Sequence, residues 1–384
     1  MAFFLATKEL WRNRGRFFLF SLVIALITTL VLFIAALAGG LANANKQFVE
    51  KLDADLLVYQ ENTDLQATSS RLDQLALKNV ARVDGVAAVG PLGFSTSTIV
   101  FGDGREPVDI SLIGVEPGSP GEPALLSGES LRSKRDEQVI IDNELAAAQG
   151  LQIGDLITIK SIQGTEEELF DLKVTGITDK RQYFFQPSLI VPLDVWDRIR
   201  PQPTRSSSAG ETIFNVLAVK AANPAGAVAL AARLSQQVDG IEVADKPKAI
   251  LAIPGYTAQQ STLNTQQAFT LLIAVLVVGG FFQIQTLQKV GQIGMLKAIG
   301  STNRTVAGAA LLQIVLVTVI GVAIGTIGTL LLAKGMPSNV PVLFTGTSII
   351  VAIAALLLIG PIGGLVSIRL ALKIDPLTAI GVNG

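Results

Sequence analysis

Phe17 to Leu37 reads FFLFSLVIALITTLVLFIAAL, an uncharged run longer than the roughly 20 residues an α-helix needs to cross a hydrocarbon core of about 30 Å. Three more uncharged apolar stretches follow, Ala268 to Leu287, Thr305 to Ala333 and Pro341 to Ile368, and a long polar segment separates the first stretch from the second. The sequence thus predicts four membrane spans and one large extramembrane domain. A basic region and an apolar run ending in Ala36-Leu37-Ala38 also describe a secretory signal peptide. This run exceeds the roughly 7–15 residues of such a segment, and further spans follow, so a retained first span is expected.

Charge orients the chain. Lys8, Arg12, Arg14 and Arg16 precede the first span, Lys289, Lys297 and Arg304 lie between the second and third, and Arg369 and Lys373 follow the fourth. The short loop between spans three and four carries only Lys334. Because Lys and Arg near span ends resist translocation, a multi-pass protein of the cytoplasmic membrane with both termini cytoplasmic is expected. Residues 41–266 then face outward, with 20 Lys plus Arg against 29 Asp plus Glu, a net −9 beside +8 for the remainder. An acidic folded domain is the wrong sign for binding nucleic acid.

The chain has no Cys and no His. That removes disulfides, thiolate and imidazole metal sites, and the commonest nucleophiles and bases. No phosphate-cradling GxxxxGK[ST] occurs, no spacing among Ser, Lys and carboxylates suggests a catalytic set, and no ionisable residue lies inside a span. A non-enzyme without intrinsic cofactor, driven by an outside energy source, is expected.

The outer segment has internal order. Ala54 to Tyr59 alternates like a strand, Ser70 to Val83 has helical spacing and Val86 to Pro91 reads as a second strand. The same order recurs at Thr212 to Lys220, Pro224 to Val238 and Ile241 to Ala244. The copies share Arg71-Leu72-x-Gln74 with Arg233-Leu234-x-Gln236, and Val83-Asp84-Gly85-Val86 with Val238-Asp239-Gly240-Ile241. Between them, Gln138 to Asp142, Leu156 to Lys160, Leu172 to Ile177 and Leu189 to Pro192 read as strands, with a helix over Glu144 to Gly150. Gly, Pro and Ser at 116–129 and 201–210 mark boundaries. The expected fold is an α-helical membrane protein with four transmembrane helices plus an α+β extracytoplasmic domain, two β-α-β units with an inserted β-rich lobe.

Between spans two and three, Val290, Ile293, Leu296 and Ile299 fall at i, i+3 spacing, a short amphipathic helix that Gly300 can end. Such a helix either lies in the lipid interface or docks on a partner. In the spans, Gly321-x-x-x-Gly325 and Gly360-x-x-x-Gly364 allow close helix approach, more readily within one subunit than at a dimer seam, and Pro361 predicts a kink.

One N-terminal span, a large outer domain, three C-terminal spans, the loop Gly291-Gln-Ile-Gly-Met-Leu-Lys-Ala-Ile-Gly300 and the tail Asp375-Pro-Leu-Thr-Ala-Ile380 together resemble the MacB/FtsX/Lol-type (type VII) permeases of ABC transporters. The resemblance covers the whole chain, and the cytoplasmic loop is its most specific part. It implies a homodimer or pseudo-dimer, each copy bound to a separate ATPase subunit that holds ATP-Mg, with ATPase closure moving the helices and outer domain by mechanotransmission. Lys289 to Arg304 is then the coupling helix, with Val290, Ile293, Leu296, Lys297 and Ile299 its ATPase-coupling residues. The implied layout is 1–40 for N-terminus and first span, 41–266 for the outer domain (porter-like base 41–104 and 211–266, lobe 105–210), 267–288 for the second span and 289–304 for the coupling helix. Residues 305–333 form the third span, 334–342 the outer loop, 343–368 the fourth span and 369–384 the tail.

Within that family, Lys289 to Gly300, Leu312-Gln313-Ile314, Ile320-Gly321-Val322 and the tail Asp375 to Gly381 are similar to the HrtB-type heme-exporting permeases. Heme is the substrate this implies; other members move lipids, lipoproteins or peptides, or act as regulators without transport, and those readings stay open. Heme iron here would need an oxygen donor, since His and Cys are absent. The chain has three tyrosines, Tyr59, Tyr183 and Tyr256; Glu50 and Tyr256 lie close to the membrane ends of the outer domain, and Tyr183 sits between Lys180-Arg181 and Phe184-Phe185. Glu50, Tyr183 and Tyr256 match a Glu and two Tyr of that group. Iron ligation by Glu50 or Tyr256, propionate pairing by Arg181 or Lys51, and a contact from Tyr183 are the expectations, with lipids, the ATPase and a second copy as partners.

Overall fold

The structure is a computed structural model that describes residues 8, 11–202, 213–336, 340, 342–344 and 346–372. The tail motif Asp375 to Gly381, positions 203–210 of the expected lobe boundary, and positions 337–339 and 341 of the short loop lie outside the described residues. The chain divides into two compact units, Ala42–Gln259 and the combination of Met1–Leu41 with Gln260–Gly384.

In the first unit, β1 (Leu56–Gln60), α2 (Gln74–Ala81) and β2 (Val86–Val100) form one β-α-β unit, and β10 (Val216–Ala221), α5 (Ala227–Gln237) and β11 (Ile241–Asp245) form the other. Their strands run in the order β11-β1-β10-β2 with every neighbour antiparallel. Each unit therefore straddles a strand of the other, the split β-α-β interlock of ferredoxin-like domains. The repeated Val-Asp-Gly sequence is structural: Val83 and Val238 are both buried, and Gly85 (φ +100) and Gly240 (φ +74) both turn in the left-handed region where a side chain is strained. The repeated Arg-Leu-x-Gln is not. Leu72 bridges Phe214 ahead of the Asp73 cap of α2, whereas Leu234 lies inside α5.

The insert holds β3 (Val108–Val115), β4 (Leu125–Gly128), β5 (Gln138–Asp142), α3 (Asn143–Gln149), β6 (Leu156–Gln163), β7 (Glu166–Thr178), β8 (Gln182–Tyr183), β9 (Gln186–Pro192) and α4 (Leu193–Ile199). Pairings β2-β3-β9-β5-β7-β6 return to β2, closing a six-stranded ring. β2 belongs to both parts: Val86 to Leu92 face β10, and Leu92 to Val100 face β3 and β6. Ile99, Ile110, Leu112, Val139, Ile157 and Leu172 are among the fully buried residues of one core, the side chains that fill a small closed sheet. Alternation sends Leu56 and Val58 to this core, and Leu57 and Tyr59 to a second core on the opposite face. Trp196 of α4 lies over Gly93 and Gly114, where an added Cβ would come within 2.3 Å and 2.5 Å of it.

Asp142 is fully buried and caps α3, accepting from the Leu145 amide at 2.7 Å and the Ser188 amide at 3.3 Å. Burial pushes its carboxyl from 3.8 up to about 6, against the pull of those two amides. Because the folded value stands above the unfolded one, its contribution to stability is full below about pH 4 and is lost as pH rises through about 6. Asp142→Asn, which keeps a good cap, should flatten the pH dependence of the thermal midpoint between pH 4 and 6; an unchanged slope would refute this assignment.

In the other unit, three helices are long and apolar enough to cross a membrane: α1 (Arg14–Glu50), α7 (Tyr256–Gln288) and α9 (Asn303–Lys334). A fourth, α10 (Gly346–Leu372), has a shorter described apolar stretch, Ile349–Gly364, and contains Pro361. Three helices thus meet the length where four spans were expected. Both Gly-x-x-x-Gly pairs serve packing within the chain: a Cβ on Gly321 would lie 2.9 Å from Ser21 O of α1, and one on Gly360 would lie 2.2 Å from Thr318 Oγ1 of α9. Short α8 (Val290–Ala298) joins α7 to α9, and Gly300 (φ +97) follows it.

Candidate functional site

Two places carry the residues singled out by sequence. The first lies in the sheet domain, where α1 ends and α7 begins. Glu50 closes α1, is exposed and pairs with Lys46 at 3.2 Å. Lys51 Nζ lies 2.7 Å from Asp179 Oδ2 and donates to Lys180 O at 2.7 Å. Arg181, its side chain only 7% exposed, donates from Nε to Asp179 Oδ1 at 2.9 Å and from Nη1 to Lys51 O at 3.0 Å. Burial works against the Asp179 charge, but Lys51 and Arg181 hold its carboxyl below the usual range. Both proposed propionate partners therefore already share one carboxylate. Lys246 Nζ donates to Leu52 O at 2.6 Å and Glu50 O at 3.3 Å, just where α1 gives out its last carbonyls. Asp179 and Lys246 went unnoticed in the sequence, although the run Asp179-Lys180-Arg181 signals a local ion pair.

Tyr183 is a core residue here. Its ring lies 4.8 Å from Phe94 and 6.2 Å from Phe48, and burial pushes its phenol up to about 12. Tyr59 is buried beside it, its phenol raised by that burial and by Tyr183. Both line a cavity of about 10 Å³ with Phe48, Leu92 and Phe94, room for one water at most. Tyr256 opens α7 and is half-buried against the same core. The next two residues after Tyr183 differ sharply: Phe184 (φ +52) and Phe185 (φ +65) form the two-residue turn between β8 and β9, each 43% exposed. Asn-Gly is the usual choice for such a turn, so two phenylalanines there are strained. Glu50, Lys51, Arg181, Tyr183 and Tyr256 thus share one end of the domain.

The second place is α8. Lys289, just ahead of it, stands 5.6 Å over the Phe17 ring of α1, and Arg16 donates to the Gln288 side chain. Lys297 Nζ donates to Leu372 O, the last described residue of α10, at 2.8 Å. Val290 and Ile293 are partly buried, and Ile293 with Leu296 lines a cavity against α7 and α9. Ile299 (79% exposed) and Met295 (60%) are the apolar side chains that point away. The outward face is therefore not the whole i, i+3 stripe, and Met295, off that stripe, belongs to it. Among the described residues no three Asp or Glu gather as a metal site.

The family model described as MacB-like periplasmic core domain matches residues 17–237, more than half of the chain, and FtsX-like permease C-terminal matches residues 267–376. Proteins named hemin transport system permease protein HrtB, from Staphylococcus haemolyticus and Staphylococcus epidermidis, are 28% identical over 377 residues, covering 98% of this chain and 99% of theirs. An uncharacterized ABC transporter permease of Mycobacterium tuberculosis is 25% identical over 382 residues, 97% of each chain. Among solved structures, the periplasmic region of MacB from Actinobacillus actinomycetemcomitans aligns with a TM-score of 0.36 and 12% identity, over 53% of this chain and 95% of that one.

Proposed function

The chain belongs to the family of MacB-like and FtsX-like ABC transporter permeases, and from that premise we propose that it is the permease subunit of an exporter, driven by a separate ATPase, that extracts heme from the outer leaflet of the cytoplasmic membrane. The observation that carries the machine is the bracing of α8. Lys289 and Arg16 tie its start to α1, Lys297 ties its end to α10, and the chain continues directly into α7 and α9. A displacement of α8 by a nucleotide-driven partner therefore reaches all four apolar helices at once, which is what mechanotransmission without internal charges requires. Heme as substrate is supported by the near full-length likeness to the staphylococcal hemin permeases. The functional unit is a homodimer carrying one ATPase per copy.

All four apolar helices span the membrane in this reading, with both termini inside. Reporter fusions after Gly118 and after Met336 should read outside, and one after Ser301 inside; an inside signal at Gly118 would overturn the architecture.

The substrate reading is tested at the end of the sheet domain. Glu50 is exposed and Tyr256 half-buried, so both offer an oxygen atom to iron without unfolding the core. Glu50→Ala and Tyr256→Phe should lower heme co-purifying with the protein by about tenfold or more, the usual effect of losing a metal contact, at unchanged expression. Tyr183→Phe keeps the buried ring and should leave the Soret absorbance near normal. Unaltered heme content in both Glu50→Ala and Tyr256→Phe would remove the site and leave an ATP-driven permease for another amphiphile.

A further inference from the structure

We propose that the cavity beneath α8 is a binding site for an anionic phospholipid, whose acyl chain enters the cavity and whose phosphate is held by the cations at its lip. The cavity measures about 100 Å³. That is of the order of the roughly 150 Å³ that admits a benzene ring, enough for the end of a chain or a bend in it. Its walls come from three helices: Phe282 of α7, Leu296 of α8, and Val306 and Ile314 of α9 supply the apolar surface, and the buried Gln285, Thr286 and Gln313 add polar atoms to it. The lip is polar, with Lys289, Ser301 and Thr305 lining it.

Among the described residues, the charged groups around the lip are all cations. Arg304 adjoins Thr305 in sequence, and Arg16 bonds Gln288 beside Lys289. The described residues of this whole unit include no Asp or Glu. Basic pockets between membrane helices favour anionic head groups, each cation near the surface contributing about 1 kcal/mol. A mostly apolar lining and a cationic rim at the end of the apolar stretches favour an anionic lipid over a zwitterionic one, whose own ammonium group offsets its phosphate. Because Leu296 and Ile293 form one wall, such a lipid would support α8 from below and set how firmly the coupling segment is seated. The inference does not depend on which substrate is exported.

The test is native mass spectrometry of the full-length protein in mild detergent, titrated with dioleoylphosphatidylglycerol or with dioleoylphosphatidylcholine. The wild type should retain the glycerol lipid at least about fivefold better, and Lys289→Gln and Arg304→Gln should each reduce that preference by roughly fivefold. Ala310→Phe, which fills the cavity from α9, should reduce retention of both lipids. Equal retention of the two lipids by the wild type, or a preference untouched in both charge variants, would leave this cavity to a second copy or to the ATPase and overturn the proposal.

Discussion

Ile299→Asp should abolish co-purification of the ATPase subunit while the permease still inserts and accumulates. Ile299 is 79% exposed at the end of α8 and Met295, one turn earlier, is 60% exposed, on a segment otherwise braced to α1 and α10. Burying such a side chain in a partner's groove is worth about 2–3 kcal/mol. A carboxylate in its place loses that and adds the cost of an unpaired, desolvated charge, so affinity should fall roughly 100-fold or more. Leu296→Asp acts differently, since Leu296 lines the cavity under α8; it should disturb the seating of the helix as well as the docking. Lys297→Ala, by contrast, removes the bond to Leu372 O that ties α8 to α10. It should keep ATPase binding and lose transport. ATPase recovered in normal yield with Ile299→Asp would sink the coupling role of α8.

The largest loss of stability is expected from Trp196→Ala. The indole is 2% exposed and rests on the bare backbone of Gly93 in β2 and Gly114 in β3, and its Nε1 donates to Ser95 Oγ at 3.0 Å. Removing it leaves a void that β2 and β3 cannot close without breaking their register, at a cost of about 3–5 kcal/mol. The complementary change should also hurt: a methyl group on Gly114 would lie 2.5 Å from the Trp196 Cβ, so Gly114→Ala forces α4 off the sheet, typically 1–3 kcal/mol. A Trp196→Ala protein melting within a degree or two of wild type would refute this account of how α4 is fixed.

The apolar stretches of the three long helices were legible because charge is absent from them, a property that no tertiary contact can alter. Their helices run further than polarity suggested: α1 continues from Leu37 to Glu50. Ala44 and Phe48, spaced by four, are buried there, as is Leu52 just past the helix end, a stripe the sequence offered but a hydropathy reading passes over. Turn chemistry carried the repeat correctly at Val-Asp-Gly, where two glycines must take positive φ. It misled at Arg-Leu-x-Gln, which carries no such constraint. The closed ring was not legible, since it depends on β2 changing partners at Leu92, a matter of register. Nor was the burial of Tyr183. Its flanking cations and phenylalanines look like an exposed recognition loop, and only the fold shows that the ring turns in while Phe184 and Phe185 turn out. On α8 the stripe forms a helix face, and its neighbours decide which half of it is covered.

The interlock of the two β-α-β units also dictates an order of assembly. Leu56 of β1 pairs with Val219 and Asp245 and with nothing nearer in sequence. Until the chain has been made past β10, the apolar segment Leu56-Leu57-Val58-Tyr59 has no partner on either edge, the kind of exposed strand that recruits other chains. Closing so long a loop through random search costs entropy and time. The insert shortens the search: once its ring has closed, β2 is already fixed and offers Val86 to Leu92 to the arriving β10. Defects within the lobe should therefore surface as aggregation of the newly made chain, through the unpaired β1, before they alter the membrane helices.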